Sequence, residues 1–291
     1  HAAMADALAL APSREIAPLV TELLRESPPP LASVLIDVLR RRREIDAATV
    51  TQLAAHGSSG AAQATARALP HAVPSELAVS ALESIIDEAQ DDGTRLTATT
   101  SLLVLGDRVA LRRIRGELGA APPPGPPVRQ GYLRLLALGG SADDVELVRA
   151  TLEDSPRDAD LAGWYGHRQL IDWLLAALAR ARGLREIAGP RPHPLEVAAA
   201  AALHRITGAP LRDQPTEQLP YDFEQQPALS VRTWSRWWKD HGSDFDRQLR
   251  YRFGEPYTPE ATIAELLDDA TPRRIRTDLA LELDCAFGPS R

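Results

Sequence analysis

Three tryptophans, Trp234, Trp237 and Trp238, stand at i, i+3 and i+4 in the run WSRWWKDHG. That spacing gathers large rings on one face of a helix, where they either anchor a partner or plug the end of a helical stack. Packing is the weightier reading, since helical spacing is what a core demands and the end of a repeat array must be closed. A second cluster follows in RYRFGEPYTPE, where Arg250, Tyr251 and Arg252 precede Gly254, Pro256 and Tyr257. Such a basic and aromatic loop can receive an acidic peptide or a phosphate, or can bond to neighbouring acids such as Glu255. Trp234, Trp237, Trp238, Arg250, Tyr251, Arg252 and Tyr257 together form the candidate partner-binding set.

No residue spacing suggests a reaction. The seven histidines contain no HExxH or comparable ligand pair, and the sequence has no GxSxG, P-loop or GxGxxG motif. His167 with Asp172, beside Trp164 and Tyr165, is the nearest polar constellation, but residues five apart do not share a helix face. His204 lies in an apolar helix and reads as a hydrogen-bonded core histidine. Cys285 is the only cysteine, so neither an intrachain disulfide nor a cysteine-based zinc site is available, and by default it is a small buried hydrophobe. Asp91-Asp92-Gly93 and Asp143-Asp144 are turn or capping acids that match no calcium loop. The runs Arg40 to Arg43 and Arg112, Arg113 and Arg115 read as solvated helix ends. No catalytic residue, metal or cofactor is assigned, and the chain is read as a non-enzyme.

The elements that would position these side chains are helices. Aromatics make up 5% of the 291 residues and alanine is abundant, which favours close-packed helices over sheet. The net charge of -7 gives no general attraction to a polyanion, so nucleic acid is disfavoured as a partner. Lys239 is the only lysine, and the other 32 cations are arginines. No apolar run reaches the roughly 18 residues of a membrane span, and no secretory signal is evident, so a cytoplasmic location is expected. Residues 1–12 read as an irregular or tag-derived N-terminus, with Met4 as a plausible start.

Leu31, Val34, Leu35, Val38 and Leu39 line one helix face, set off by Pro28 to Pro30 from an earlier helix at 13–25. Further helices are expected at 46–56, 60–69, 75–90, 94–105 and 107–118. Residues 121–127, with five prolines, are expected to be an extended link. Beyond it come helices at 128–138, 141–152 (with Ser141 and Asp144 spaced as a capping box), 161–182 and 195–207. Thr258-Pro259 and Thr271-Pro272 read as cap plus first helical position of the last two helices. Leu105-Gly106-Asp107 and Leu138-Gly139-Gly140 close comparable helices 33 residues apart, and Gly208 lies 69 residues past Gly139. A period in the thirties with two helices per unit indicates a helical solenoid. The expected architecture is all-α: an alpha-alpha superhelix over 13–210, then a connector and a Trp-rich helical cap over 211–291.

The segments Thr94 to Glu117 and Val128 to Glu153, each an Ala/Leu helix, an LGD or LGG turn and a second helix, resemble HEAT repeats of the bacterial phycobilisome-lyase type. LHRITGAPL, WSRWW and RYRFGEPYTPE resemble an uncharacterised family of bacterial HEAT-like proteins, some of which accompany type VI secretion genes. The repeat architecture and the lack of catalytic groups point to a non-enzymatic protein-protein interaction scaffold or adaptor that binds a protein or peptide, and the resemblance implies that the partner belongs to a bacterial secretion or effector system. Two alternatives are carried: a HEAT-like nucleic-acid or DNA-repair protein using the Trp and Arg cluster, and a lyase or chaperone for a bilin-type cofactor.

Overall fold

The computed structural model describes residue 22 and residues 29–42, 59–71, 75–188, 191–212 and 227–287. The helix expected at 46–56 and the N-terminal tail at 1–12 lie outside the described residues, and so does the helix expected at 13–25 except for residue 22, which is helical. The fold is all-α. Thirteen α-helices are described: α1 (Pro29–Arg42), α2 (Ser59–Ala68), α3 (Ser75–Glu88), α4 (Asp92–Val104), α5 (Val109–Leu118), α6 (Pro126–Gly139), α7 (Val145–Asp154), α8 (Asp160–Tyr165), α9 (Ile171–Ala188), α10 (Pro194–Thr207), α11 (Val231–His241), α12 (Pro259–Leu267) and α13 (Arg273–Phe287). One small antiparallel hairpin, β1 (Tyr251–Arg252) and β2 (Glu255–Pro256), interrupts them.

The chain divides into two compact units. The first comprises the described residues through Ile114, with Pro124–Val128 and the residues from Ala280 on. In it α1 packs on α2, α2 on α4, and α3 on α4. Leu35, Ile36, Val38, Leu39, Leu82, Leu102 and Leu103 fill the core; of the face expected on α1, Leu35, Val38 and Leu39 are buried, Val34 is half-buried, and Ile36, outside that face, is buried as well. Asp91 starts α4: its carboxylate accepts the Thr94 N–H at 2.8 Å and the Ser59 hydroxyl at 2.8 Å. The Thr94 hydroxyl and these neighbours hold the Asp91 carboxyl down at about 2.

The second unit comprises Arg115–Pro123 and Arg129–Leu279. Here α8 and α9 both pack on α10, and α9 also meets α11. The boundary expected at residues 210 and 211 therefore falls inside this unit, because α11 and the hairpin pack on the helices that precede them. In both units a helix packs on the second one along the chain, α2 on α4 and α8 on α10, which is compatible with stacked two-helix repeats.

Three expected boundaries move. Pro29 and Pro30 lie inside α1, and Pro126 and Pro127 begin α6, because the first turn of a helix has no use for the N–H that proline lacks. The single helix expected at 161–182 is two: α8 stops at Gly166, whose φ of 75° is left-handed, and α9 starts at Ile171. The Ser141 and Asp144 pairing is present, with the Ser141 N–H donating to the Asp144 carboxylate at 2.9 Å. Thr258 caps α12 as expected, accepting the Ala261 N–H, whereas Thr271 directs its hydroxyl to the Glu265 carbonyl at 2.8 Å.

Candidate partner-binding site

The seven candidate residues all lie in the second unit, but they are not one surface. Helix α11 begins at Ser230, whose hydroxyl accepts the Thr233 N–H. Trp234 points inward and is completely buried, and its indole N–H donates to the Ala228 carbonyl at 2.6 Å. An indole so enclosed is a core anchor and cannot meet a partner. Trp238 lies over Gly242 and tilts against Phe245 at 5.4 Å, with the Arg168 guanidinium 5.6 Å from its ring.

Trp237 occupies the next row round the helix and is half-buried. Its ring stacks on His241 at 4.5 Å with the planes 6° apart, and the His241 Nδ1–H donates to the Trp237 carbonyl at 2.9 Å. Arg232, Arg236 and Asp240 form a row at i, i+4 and i+8 beside the row of Thr233, Trp237 and His241. With Leu211 these side chains line an open groove of about 630 Å³. Leu211 is held there by its carbonyl, which accepts the Ala228 N–H at 3.0 Å.

The second cluster makes structural contacts, the alternative that the sequence weighed against a receptive loop. Arg250 reaches back over the helices: its guanidinium donates to the carbonyls of Ala137 (2.5 Å), Gly140 (2.8 Å), Trp164 (3.2 Å) and Tyr165 (2.6 Å). Ala137, Trp164 and Tyr165 carry terminal carbonyls of α6 and α8, which are left without an intrahelical donor, and Gly140 directly follows α6. Tyr251 is buried, its N–H donating to the Gly166 carbonyl at 2.6 Å and its hydroxyl accepting the Asp246 N–H at 2.5 Å. Arg252 is 4% exposed and donates to the Thr262 hydroxyl at 2.6 Å. Its guanidinium pairs with Glu265 at 3.6 Å, and Glu265 is also gripped by both arms of Arg205 at 2.9 and 3.0 Å. Tyr257 is half-buried, with the guanidinium groups of Arg250 and Arg252 about 5 Å from its ring.

The turn between β1 and β2 completes this arrangement. Phe253 (φ 51°) and Gly254 (φ 89°) are both left-handed, as a two-residue hairpin turn requires. Their N–H groups donate to the Arg205 and Ile206 carbonyls at 2.6 and 3.0 Å, capping the end of α10. Gly208 must be glycine here, since its φ is 64° and a Cβ would strike the Phe253 carbonyl.

His167 borders a second hollow of about 500 Å³ with Asp143, Glu146, Gln169, Arg247 and Gln248. Both of its ring nitrogens are engaged: Nδ1 accepts the Gln169 N–H, and Nε2–H donates to the Arg247 carbonyl at 2.9 Å. No lone pair is left for a metal or for general-base work. Burial lowers its pKa, opposed by the Arg247 carbonyl and reinforced by Arg250 and Arg168. Cys285 is buried and its thiol is pushed up to about 12 by burial, with Asp284 and Glu282 adding to the shift. Among the described residues no group of three His, Cys, Asp or Glu could hold a metal, and no helix is long and apolar enough to cross a membrane.

No protein-family model, curated protein or solved structure matches the chain. The site is therefore read from its own geometry. That geometry leaves Trp237, with Trp238 behind it, as the part of the candidate set that reaches a surface groove. The remaining lining, Arg232, Arg236, Asp240 and His241, was not singled out by the sequence, although their i+4 spacing beside the Trp row was readable there.

Proposed function

We propose that this protein is a non-enzymatic scaffold or adaptor that holds a protein or peptide, with the groove along α11 as a contact site. The observation that carries the reading is the half-buried indole of Trp237 lining an open groove, stacked on His241, with two arginines in the same lining. Rigid, partly desolvated Trp and Arg side chains are the residue types on which binding energy concentrates. The all-α architecture supports the same reading, since packed helices present extended fixed surfaces without moving parts. The bacterial secretion or effector setting implied by the family resemblance is the context we propose for the partner.

The test is affinity recovery from a lysate of the native cell by the wild-type chain and by Trp237→Ala. A specific protein held by the wild type and weakened at least roughly tenfold by the folded variant is the expected result. Trp234→Ala is unsuitable as a probe, because that ring is core. Recovery of nucleic acid or a chromophore in place of a protein would overturn the scaffold reading in favour of a nucleic-acid protein or a cofactor lyase.

A further inference from the structure

We infer that the α11 groove takes an acidic peptide segment carrying at least one aromatic or large apolar side chain. This inference rests on the contact reading above and adds the chemistry of the occupant. Arg232 and Arg236 stand one turn apart on the groove wall, and Lys239, the only lysine of the chain, lies on the same helix. Against these three cations α11 has one acid, Asp240, while the whole chain carries a net charge of -7. The helix is thus opposite in sign to the chain as a whole, and the groove wall itself carries two arginines against Asp240.

Elsewhere in this unit arginines are engaged with carboxylates of the chain, as Arg115 is with Asp144 and Arg205 with Glu265. Arg232 and Arg236 make no ion pair among the described residues, and both are well placed to meet an incoming carboxylate. A guanidinium fork matches a carboxylate with two parallel hydrogen bonds, so two forks one turn apart suit two acids on one side of a peptide. Trp237 and Leu211 line the same groove and supply apolar surface suited to a ring. Ionic contacts would then set selectivity and approach rate, and the indole would set residence time.

A nucleic-acid strand fits less well. Asp240 continues the arginine row and would face the next phosphate of a tracking backbone, whereas a peptide can place a donor or a neutral residue opposite it. The peptide reading also uses the His241 edge, where Nε2 can accept a hydrogen bond because Nδ1–H is committed to the Trp237 carbonyl.

The test is selection of short random displayed peptides on the full chain, run in parallel on the double variant Arg232→Glu, Arg236→Glu and on Trp237→Ala. Both arginines are at the surface, so the double variant keeps its fold, which circular dichroism verifies. Expected is enrichment of sequences combining Asp or Glu with Phe, Tyr, Trp or Leu on the wild type. A selected peptide should bind at least roughly tenfold more weakly to the double variant and to its own Asn/Gln counterpart. Enriched peptides without acidic bias, still lost with Trp237→Ala, would overturn the acidic chemistry and leave the contact site standing. Enrichment unchanged by all three substitutions would overturn both. A labelled single-stranded oligonucleotide bound more tightly than the best peptide, and released by the double variant, would transfer the groove to nucleic acid.

Discussion

At the scale of single residues, Arg250 shows how little a side chain's type says about its task. It is a long, charged group in an aromatic loop, yet its guanidinium donates to four backbone carbonyls at the ends of α6 and α8 and just past α6. Removing it leaves those carbonyls without partners in a partly buried place. Arg250→Met is therefore expected to lower unfolding free energy by about 3–5 kcal/mol, measured by urea denaturation. Arg250→Lys recovers only part of this, since an ammonium cannot span acceptors arranged for a fork. His167 gives a different handle. Its folded pKa lies below the ordinary value of 6.5 because burial disfavours the imidazolium. Below 6.5 the unfolded chain takes up a proton that the folded chain resists, so the stability His167 contributes is present above that value and declines as pH falls through it. The urea midpoint should thus drop between neutral pH and pH of about 5.5, and His167→Asn, which keeps an acceptor for the Gln169 N–H, should flatten that slope. An unchanged slope would show that His204, lowered by burial in the same way, carries the dependence instead.

At the scale of elements, the β hairpin acts as a shared cap. Its strand and turn N–H groups close the ends of α8 and α10 through the Gly166, Arg205 and Ile206 carbonyls. Close approach is possible because Gly166 and Gly208 have no Cβ and adopt left-handed φ. Gly208→Ala is expected to cost about 2–4 kcal/mol, through combined backbone strain and collision with Phe253, and to appear as a lowered melting temperature. Gly106 offers the comparison, since it also has positive φ but open space where a Cβ would go. Gly106→Ala should show only the conformational part, on the order of 1 kcal/mol. Helix α11 divides its tryptophans in the same positional way: Trp234 enters the core and Trp237, three residues on, turns to the groove. Their i, i+3 spacing was legible, but it describes a broad face, and the border between core and surface runs through it.

At the scale of the whole molecule, the all-α class, most helix positions and the capping roles of Asp91, Ser141 and Thr258 were readable because each depends on residues within one or two turns. Helix period reports which positions are apolar, and a cap reports a side chain beside its own N–H groups. The end of α8 at Gly166 was not readable, because the hairpin that makes a left-handed residue necessary comes from far along the chain. The same holds for the candidate site. The sequence identified the tryptophans and the RYRFGEPYT run as unusual, and stated for both that packing competed with contact. It could not decide, since the acceptors of Arg250 lie between 85 and 113 residues away from it. What the sequence by itself determined was helical periodicity, caps and the net charge of -7. Only the tertiary structure decided which aromatic and basic side chains were consumed by packing and which faced a groove, because burial and hydrogen bonding of these groups are set by partners that chain order does not bring near.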